Sequence, residues 1–287
     1  MNGIILSSRY GTYEVLTSSQ EIVVCKPRGL FRHKQIKLVV GDKVVIDEME
    51  KVITDIEERK NFLIRPSIAN VDELAIVMSV TEPDFSSLLI DKFIAYARFF
   101  KINANVIISK VDKDFDDRQL KEKIEALEKV GVQVIEYSKV TKLGIEKIQK
   151  LFENKIVALM GQTGVGKSSL LNELVPSSQC EVGEFSKFLG RGKHKTKEVV
   201  LIPYGNGFIA DTPGFSSLEL PFYKEDLAQC FVGFEKYYDK CKFGNCLHIH
   251  EKDCEVKKAV EEDKISKDTY ENYLKVSEEL ILRKDRY

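Results

Sequence analysis

The stretch Gly161-Gln162-Thr163-Gly164-Val165-Gly166-Lys167-Ser168 constrains this chain more than any other. The apolar run 156–160 before it reads as a buried strand. Ser169-Leu170-Leu171-Asn172-Glu173-Leu174 after it reads as the first turns of a helix. Strand, glycine loop and helix in that order make a phosphate-binding loop. The glycines let the backbone curl so that successive N–H groups point at phosphate oxygens. The helix N-terminus adds its positive dipole end. Lys167 is spaced to reach the β and γ phosphates, and Ser168 to offer its hydroxyl to Mg²⁺.

Around this loop the pattern is that of an α/β domain. Strands are expected at 74–80, 105–108, 132–135, 199–203 and 207–210, and helices at 88–101, 117–130 and 144–153. Such alternation predicts a mostly parallel sheet covered on both faces. Residues 1–66 differ. Short apolar runs at 3–6, 13–16, 22–25, 37–40, 43–46 and 52–56 are separated by turn residues such as Gly11, Pro27, Gly29 and Gly41-Asp42, the pattern of a small barrel. Residues 222–287 read as helical and charged. There Tyr270, Tyr273, Leu274, Ser277, Leu280 and Ile281 form an expected packing stripe. The expected domains are therefore 1–66, 67–221 and 222–287.

Charge and composition exclude several classes. Lys and Arg number 44 against 45 Asp and Glu, and no apolar run has membrane-spanning length. Without a basic head and cleavage site at residues 1–6, a cytoplasmic protein with no membrane partner is expected. Lys26, Arg28, Arg32, His33, Lys34 and Lys37 form a basic run without an acidic residue between them. It reads either as a solvated loop or as a nucleic-acid face, with Phe31 beside it for stacking.

Two further pieces narrow the nucleotide. Ser109-Lys110-Val111-Asp112 follows the strand 105–108. An Asp there accepts from guanine N1–H and N2–H₂ together, a donor pair adenine lacks. The Lys110 stem can pack on the base. An ATPase or small-molecule kinase fails on Asp112. Asp211-Thr212-Pro213-Gly214 follows the strand 207–210, where Asp211 can hold Mg²⁺ through water and the Gly214 N–H can approach the γ-phosphate. Between the two, Gly190-Arg191-Gly192-Lys193-His194-Lys195-Thr196-Lys197 is a basic glycine loop that can bring the Thr196 hydroxyl to Mg²⁺.

A separate group lies late in the chain. Cys241-x₄-Cys246-x-His248-x₅-Cys254 offers three thiolates and an imidazole, the set of a closed tetrahedral Zn²⁺ site, with His250 as an alternative ligand. Cys25, Cys180 and Cys230 are isolated and read as ordinary apolar or surface positions.

The order of these pieces carries a resemblance. GTPases run phosphate loop, switch threonine, D-x-x-G, then base motifs. Here Ser109–Asp112 and Tyr137-Ser138-Lys139 come first, which is a circular permutation. With the β domain in front, Ala69-Asn70-Val71-Asp72 at the junction and the Cys/His group behind, the whole chain resembles the RsgA/YjeQ (YloQ-like) family of ribosome-associated GTPases. The resemblance implies an OB-fold N-terminal barrel, a permuted P-loop GTPase domain and a C-terminal helical zinc-binding domain. It implies hydrolysis of GTP to GDP, with partners in the small (30S) ribosomal subunit and its 16S rRNA during late maturation, by a monomer. Base contacts fall on Ser109, Lys110, Asp112, Ser138 and Lys139, phosphate contacts on 161–169, Asp211 and Gly214, and the zinc ligand on His248. Three positions depart from the family pattern: Ser109 replaces an Asn, Lys195-Thr196-Lys197 a threonine triplet, and Lys252-Asp253 a Pro-Gly.

Catalysis has an expected gap. The residue after the D-x-x-G glycine is Phe215, which lacks a polar atom to orient water. His194, together with Lys167 and Thr196, is one candidate set; a group supplied by the ribosome is the other. His194 equally suits RNA docking beside Arg191, Lys193, Lys195 and Lys197. Because 218–220 and the metal-bearing segment follow the D-x-P-G directly, GTP is expected to set the orientation of the flanking domains. The rival reading is an RNA-binding factor that uses GTP as a ligand switch without turnover.

Overall fold

Alternating apolar residues at the N-terminus close on themselves. The computed structural model describes residues 1–176, 199–212 and 218–283. Its first strands are β1 (Asn2–Arg9), β2 (Thr12–Thr17) and β3 (Ile22–Pro27), followed by helix α1 (Gly29–His33), β4 (Lys43–Asp47) and β5 (Val52–Ile56). They form a closed barrel in the order β1-β2-β3-β5-β4, the expected five-stranded OB arrangement. Ile5, Val15, Cys25, Phe31, Leu38, Val44, Ile46 and Ile53 fill it. Period-two alternation places the strand residues among them on one face of the sheet.

Two expectations are corrected here. Residues 37–40 form no strand; Leu38 joins the barrel core, and Val40 makes an isolated bridge to Ile68. Phe31 is not available for stacking. The basic run folds in part as α1, whose one buried residue is Phe31, while Lys26, Arg28, Arg32, His33, Lys34 and Lys37 stay exposed. A short helix on a barrel turns an apolar residue inward.

Beyond the barrel come the short pair β6 (Phe62–Leu63) and β7 (Ile68–Ala69), then β8 (Glu73–Ser79), α2 (Ser87–Phe99), β9 (Asn103–Ser109), α3 (Arg118–Lys129), β10 (Val134–Tyr137), α4 (Ile145–Phe152), β11 (Ile156–Met160), α5 (Lys167–Leu174), β12 (Val200–Tyr204) and β13 (Gly207–Asp211). Helices α6 (Lys224–Cys230), α7 (Glu255–Glu261) and α8 (Lys267–Leu282) follow. The chain divides into two compact units. One holds 1–74, 146–160 and 167–214; the other holds 75–145, 161–166 and 215–287.

In the first unit the strand order is β11-β13-β12. β11 and β13 run parallel with Ile156 opposite Phe208, and β12 returns antiparallel along β13. β11 is buried throughout, as a strand covered on both faces must be. In the second unit the order is β10-β9-β8, with β10 parallel to β9 from Val134–Val106 to Tyr137–Ser109.

The second unit also holds the C-terminal helices. Ser86 caps α2, its side chain accepting from Leu89 N at 3.3 Å. Along α2 and α3 the sequence shows ordinary amphipathic charges, yet three of them are buried. Lys123 Nζ lies 2.6 Å from Asp91 and 3.0 Å from Asp268 on α8, and the Asn272 amide donates to Asp91 at 2.9 Å. Burial raises the Asp91 carboxyl to about 6, against the pull of Lys123. Lys92 and Glu279 pair at 2.6 Å along the same face. The packed face of α8 is Thr269, Asn272, Tyr273, Val276 and Ser277, while Ile281 of the expected stripe is half exposed.

Candidate functional site

The segment Ser109–Asp112, expected to meet the base, leaves the end of β9. Ser109 is 1% exposed, and its hydroxyl is turned into the protein. The hydroxyl lies 3.1 Å from the Met78 carbonyl and 2.5 Å from the Val165 carbonyl of the phosphate loop. One proton serves both acceptors, so Ser109 anchors the loop to the β8–β9 edge. Lys110 turns with φ +62°, and its ammonium donates to the carbonyls of Thr81 (3.2 Å) and Glu82. The stem is thereby held while the head is satisfied.

Asp112 Oδ1 accepts from Ser138 Oγ at 2.6 Å. Ser138 is fully buried, and its own oxygen accepts from the N–H groups of Val140 and Thr141, both at 3.1 Å. Ser138 therefore sets the Asp112 carboxylate. A carboxylate has about four lone-pair sites, so room remains for a two-donor base edge. Lys139 is exposed beside it.

The phosphate loop has the backbone its glycines permit. Gly161, Gly164 and Gly166 have φ of +148°, +92° and +103°. A Cβ on Gly161 would stand 2.2 Å from the Val77 carbonyl oxygen, so no other residue fits. Val165 is buried and pins the loop, Gln162 is half-buried, and Thr163, Gly164 and Ser168 are exposed to an incoming ligand, with Ser169 partly so. The loop runs directly into α5. There Lys167 is 7% exposed, and burial lowers its ammonium to about 8, partly offset by Asp211. A desolvated ammonium of this kind gains strongly from a multiply charged phosphate. Asp211 ends β13, and the next residue, Thr212, donates its hydroxyl to the Leu159 carbonyl of β11, which fixes the strand end that carries Asp211. His194, Thr196, Gly214 and Phe215, with Arg191, Lys193, Lys195, Lys197 and Cys180, lie outside the described residues.

The Cys/His group is assembled. Ligand atoms of Cys241, Cys246, His248 and Cys254 all lie within 4.8 Å of one another. His248 presents Nδ1, at 3.4 Å from Cys241 Sγ and 3.3 Å from Cys254 Sγ; those two sulfurs are 3.8 Å apart. That is too long for a disulfide and close to the roughly 3.8 Å between two thiolates on a tetrahedral ion with bonds of about 2.3 Å. Burial pushes the Cys246 thiol up to about 12 and raises Cys254. Three sulfur donors and one imidazole nitrogen gathered this closely suit a soft divalent cation. His250 stands outside the group.

Sequence reasoning missed what holds this loop. The Glu251 carboxylate accepts from the N–H groups of Leu247 (2.8 Å), Ile249 (2.9 Å) and His250 (3.1 Å). Tyr270 and Tyr273 of α8 donate to the His248 and Leu247 carbonyls at 2.8 and 2.7 Å. The one available signal was the helical spacing of the two tyrosines.

The comparisons with known proteins agree with this geometry. The RsgA GTPase family model matches residues 56–221, and the RsgA N-terminal domain model matches residues 2–52. The small ribosomal subunit biogenesis GTPase RsgA of Geobacillus sp. (strain WCH70) is 43% identical over 291 residues, covering 99% of each chain. Its counterpart in Clostridium beijerinckii (strain ATCC 51743 / NCIMB 8052) is 39% identical over 287 residues, covering 98% of each. Among solved structures, YjeQ from Thermotoga maritima superposes with a TM-score of 0.85 at 34% identity over 99% of both chains. YloQ, described as a circularly permuted GTPase, gives 0.81 at 32% identity, covering 100% of this chain and 96% of its own.

Proposed function

Because this chain belongs to the RsgA family of GTPases, we propose that it hydrolyses GTP in the service of small ribosomal subunit biogenesis, the role its relatives' names carry. One observation supports guanine most directly: Ser138 orients Asp112 while Ser109 fastens the same segment to the phosphate loop at Val165. The segment 109–112 and residues 161–166 thus share one frame. Lys167 would bind the β and γ phosphates, and Ser168, Thr196 and Asp211 would hold Mg²⁺. The Gly214 N–H meets the γ-phosphate. Bound Mg²⁺ neutralises charge developing on the phosphates. The ion at Cys241, Cys246, His248 and Cys254 is zinc, and it is structural, since all four positions are filled by protein. The protein acts in the cytoplasm as a monomer on the 30S subunit and its 16S rRNA.

With Phe215 where a water-positioning Gln stands in Ras-like enzymes, intrinsic turnover is slow and subunit binding supplies the missing alignment. Steady-state phosphate release titrated with purified small subunits tests this. Saturable stimulation by subunits, with ATP failing to compete for GTP, is the expected result. Turnover that never exceeds one equivalent favours the ligand-switch reading. In the same assay, His194→Ala is expected to lower the saturated rate by roughly 10²-fold, as loss of a positioned polar group does. If only subunit affinity drops, His194 is a docking residue.

RNA contact is assigned to the exposed cations flanking and within α1. Changing Lys26, Arg28, Arg32 and Lys34 to Gln should weaken subunit binding and flatten its salt dependence. Each phosphate left without its cation takes about 0.7–0.9 from the slope of log K against log salt. An unchanged slope returns this run to the solvated surface.

A further inference from the structure

The sequence places the domain junction at 65–72, yet the polar groups of 59–72 bind both the barrel and the strand β11. At the barrel end, Ile5 and the 41–42 turn exchange backbone hydrogen bonds, Ile5 N to Asp42 O and Gly41 N to Ile5 O, both 2.9 Å. Asp42 is fully buried and takes Arg59 Nε and Nη2 at 2.7 and 2.9 Å. Asn70 then reaches the same turn. Its Nδ2 donates to the Gly41 carbonyl at 2.9 Å, and its Oδ1 accepts from Lys60 N at 2.8 Å. Asn70 has φ +60°, which Asn tolerates better than most residues. Gly41 lies so close to the junction that a Cβ on it would stand 2.2 Å from the Ala69 oxygen.

The same set of bonds continues into the phosphate-loop strand. Asn61 pairs with Val71 through both its amide groups, at 2.9 and 2.7 Å. Asp72 N donates to the Ile156 carbonyl, and Ile156 N donates to Asp72 Oδ2, both at 2.9 Å. β1 also lies against β12. A hinge needs residues free to change φ and ψ, with backbone groups open to water. Here Ile68, Ala69 and Val71 are fully buried, and Asn70 is 8% exposed.

We infer that Asn70 and Asn61 are positioning residues that make the barrel and β11 one rigid body, and that engagement of the small subunit by the barrel is passed through this joint to β11, the strand that leads into the phosphate loop. The inference rests on the functional reading above only for its activating partner. It assigns no nucleotide-driven swing to the barrel.

The test uses the full chain, with Asn70→Ala and the milder Asn61→Ala. Hydrogen exchange over β1–β5 checks that the barrel still folds. Basal GTP turnover and subunit affinity should match the unmodified protein. The turnover at saturating subunit should fall roughly 10-fold, within the span of ordinary coupling energies. Amides at 40–42, 70–72 and 156 should lose protection in the variants. In the unmodified protein those amides should stay protected equally with GDP and with a non-hydrolysable GTP analogue. Full stimulation in a variant that has lost this protection overturns the inference. So does a fall in basal turnover as large as the fall in stimulated turnover, because the joint would then act on the site itself. Loss of protection on nucleotide exchange alone overturns the rigid body. Absence of stimulation in the unmodified protein sinks the functional reading instead, and the exchange comparison still judges the joint.

Discussion

Asp112→Ala is expected to remove the preference for guanine. In the proposed site two donors of the base meet this carboxylate, and a hydrogen bond to a charged group contributes about 1.5–3 kcal/mol. Losing both should weaken GTP and GDP binding by roughly 10²- to 10⁴-fold while leaving ATP binding nearly unchanged. Competition against a fluorescent nucleotide measures this directly. The fold should survive, because Ser138 keeps its two backbone donors from Val140 and Thr141 when the carboxylate is gone. Asp112→Asn makes a sharper version. An amide offers a donor where the carboxylate had only acceptors, so it should favour xanthine, whose 2-oxo group accepts, over guanine. Retained guanine preference in both variants would remove Asp112 from the site.

Removing the metal should have the other large effect. For sites of this donor set, metal binding is folding free energy, about 10–16 kcal/mol in small zinc modules. Cys254→Ala, or prolonged chelation, should therefore melt the segment around 234–254. The N-terminal half of α8 should persist, because Asp268 and Asn272 remain tied to Lys123 and Asp91. Nucleotide affinity should change less than about twofold, since no nucleotide-binding residue lies in this segment. Hydrogen exchange read beside nucleotide titration separates the two. Purified protein that contains no zinc under non-chelating conditions, or a Cys254→Ala variant with unaltered exchange, would refute the assignment.

The parts legible in the sequence share a property. The phosphate loop, Ser109–Asp112 and the Cys/His group each carry chemistry in residues a few positions apart, so fixed spacing reveals them. The barrel was legible because half-buried strands alternate. Residues 37–40 misled because an apolar run that packs on a barrel core has the composition of a strand without a neighbour to pair with. Phe31 misled because in a short basic stretch nothing but the fold decides which way one aromatic points. Asp42–Arg59, Asn61–Val71 and Asn70–Gly41 left no local mark at all. They are pairings between residues far apart along the chain, made by side chains that suit a loop equally well. Lys123 and Asp91 were invisible for a related reason. On an amphipathic helix a charge reads as solvated until another helix covers it.

That covered pair has a consequence for how the protein is made. Asp91 and Lys123 emerge well before the α8 residues that enclose them. At about 5–20 residues per second, the stretch between Asp91 and Asp268 takes on the order of 10–30 s to translate. Throughout that interval α2 and α3 lack the α8 partners of Ser87, Asp91, Lys92 and Lys123. A messenger truncated before residue 267 would release a product that carries the guanine and phosphate motifs but never closes, and quality control would recognise it by its bare helices.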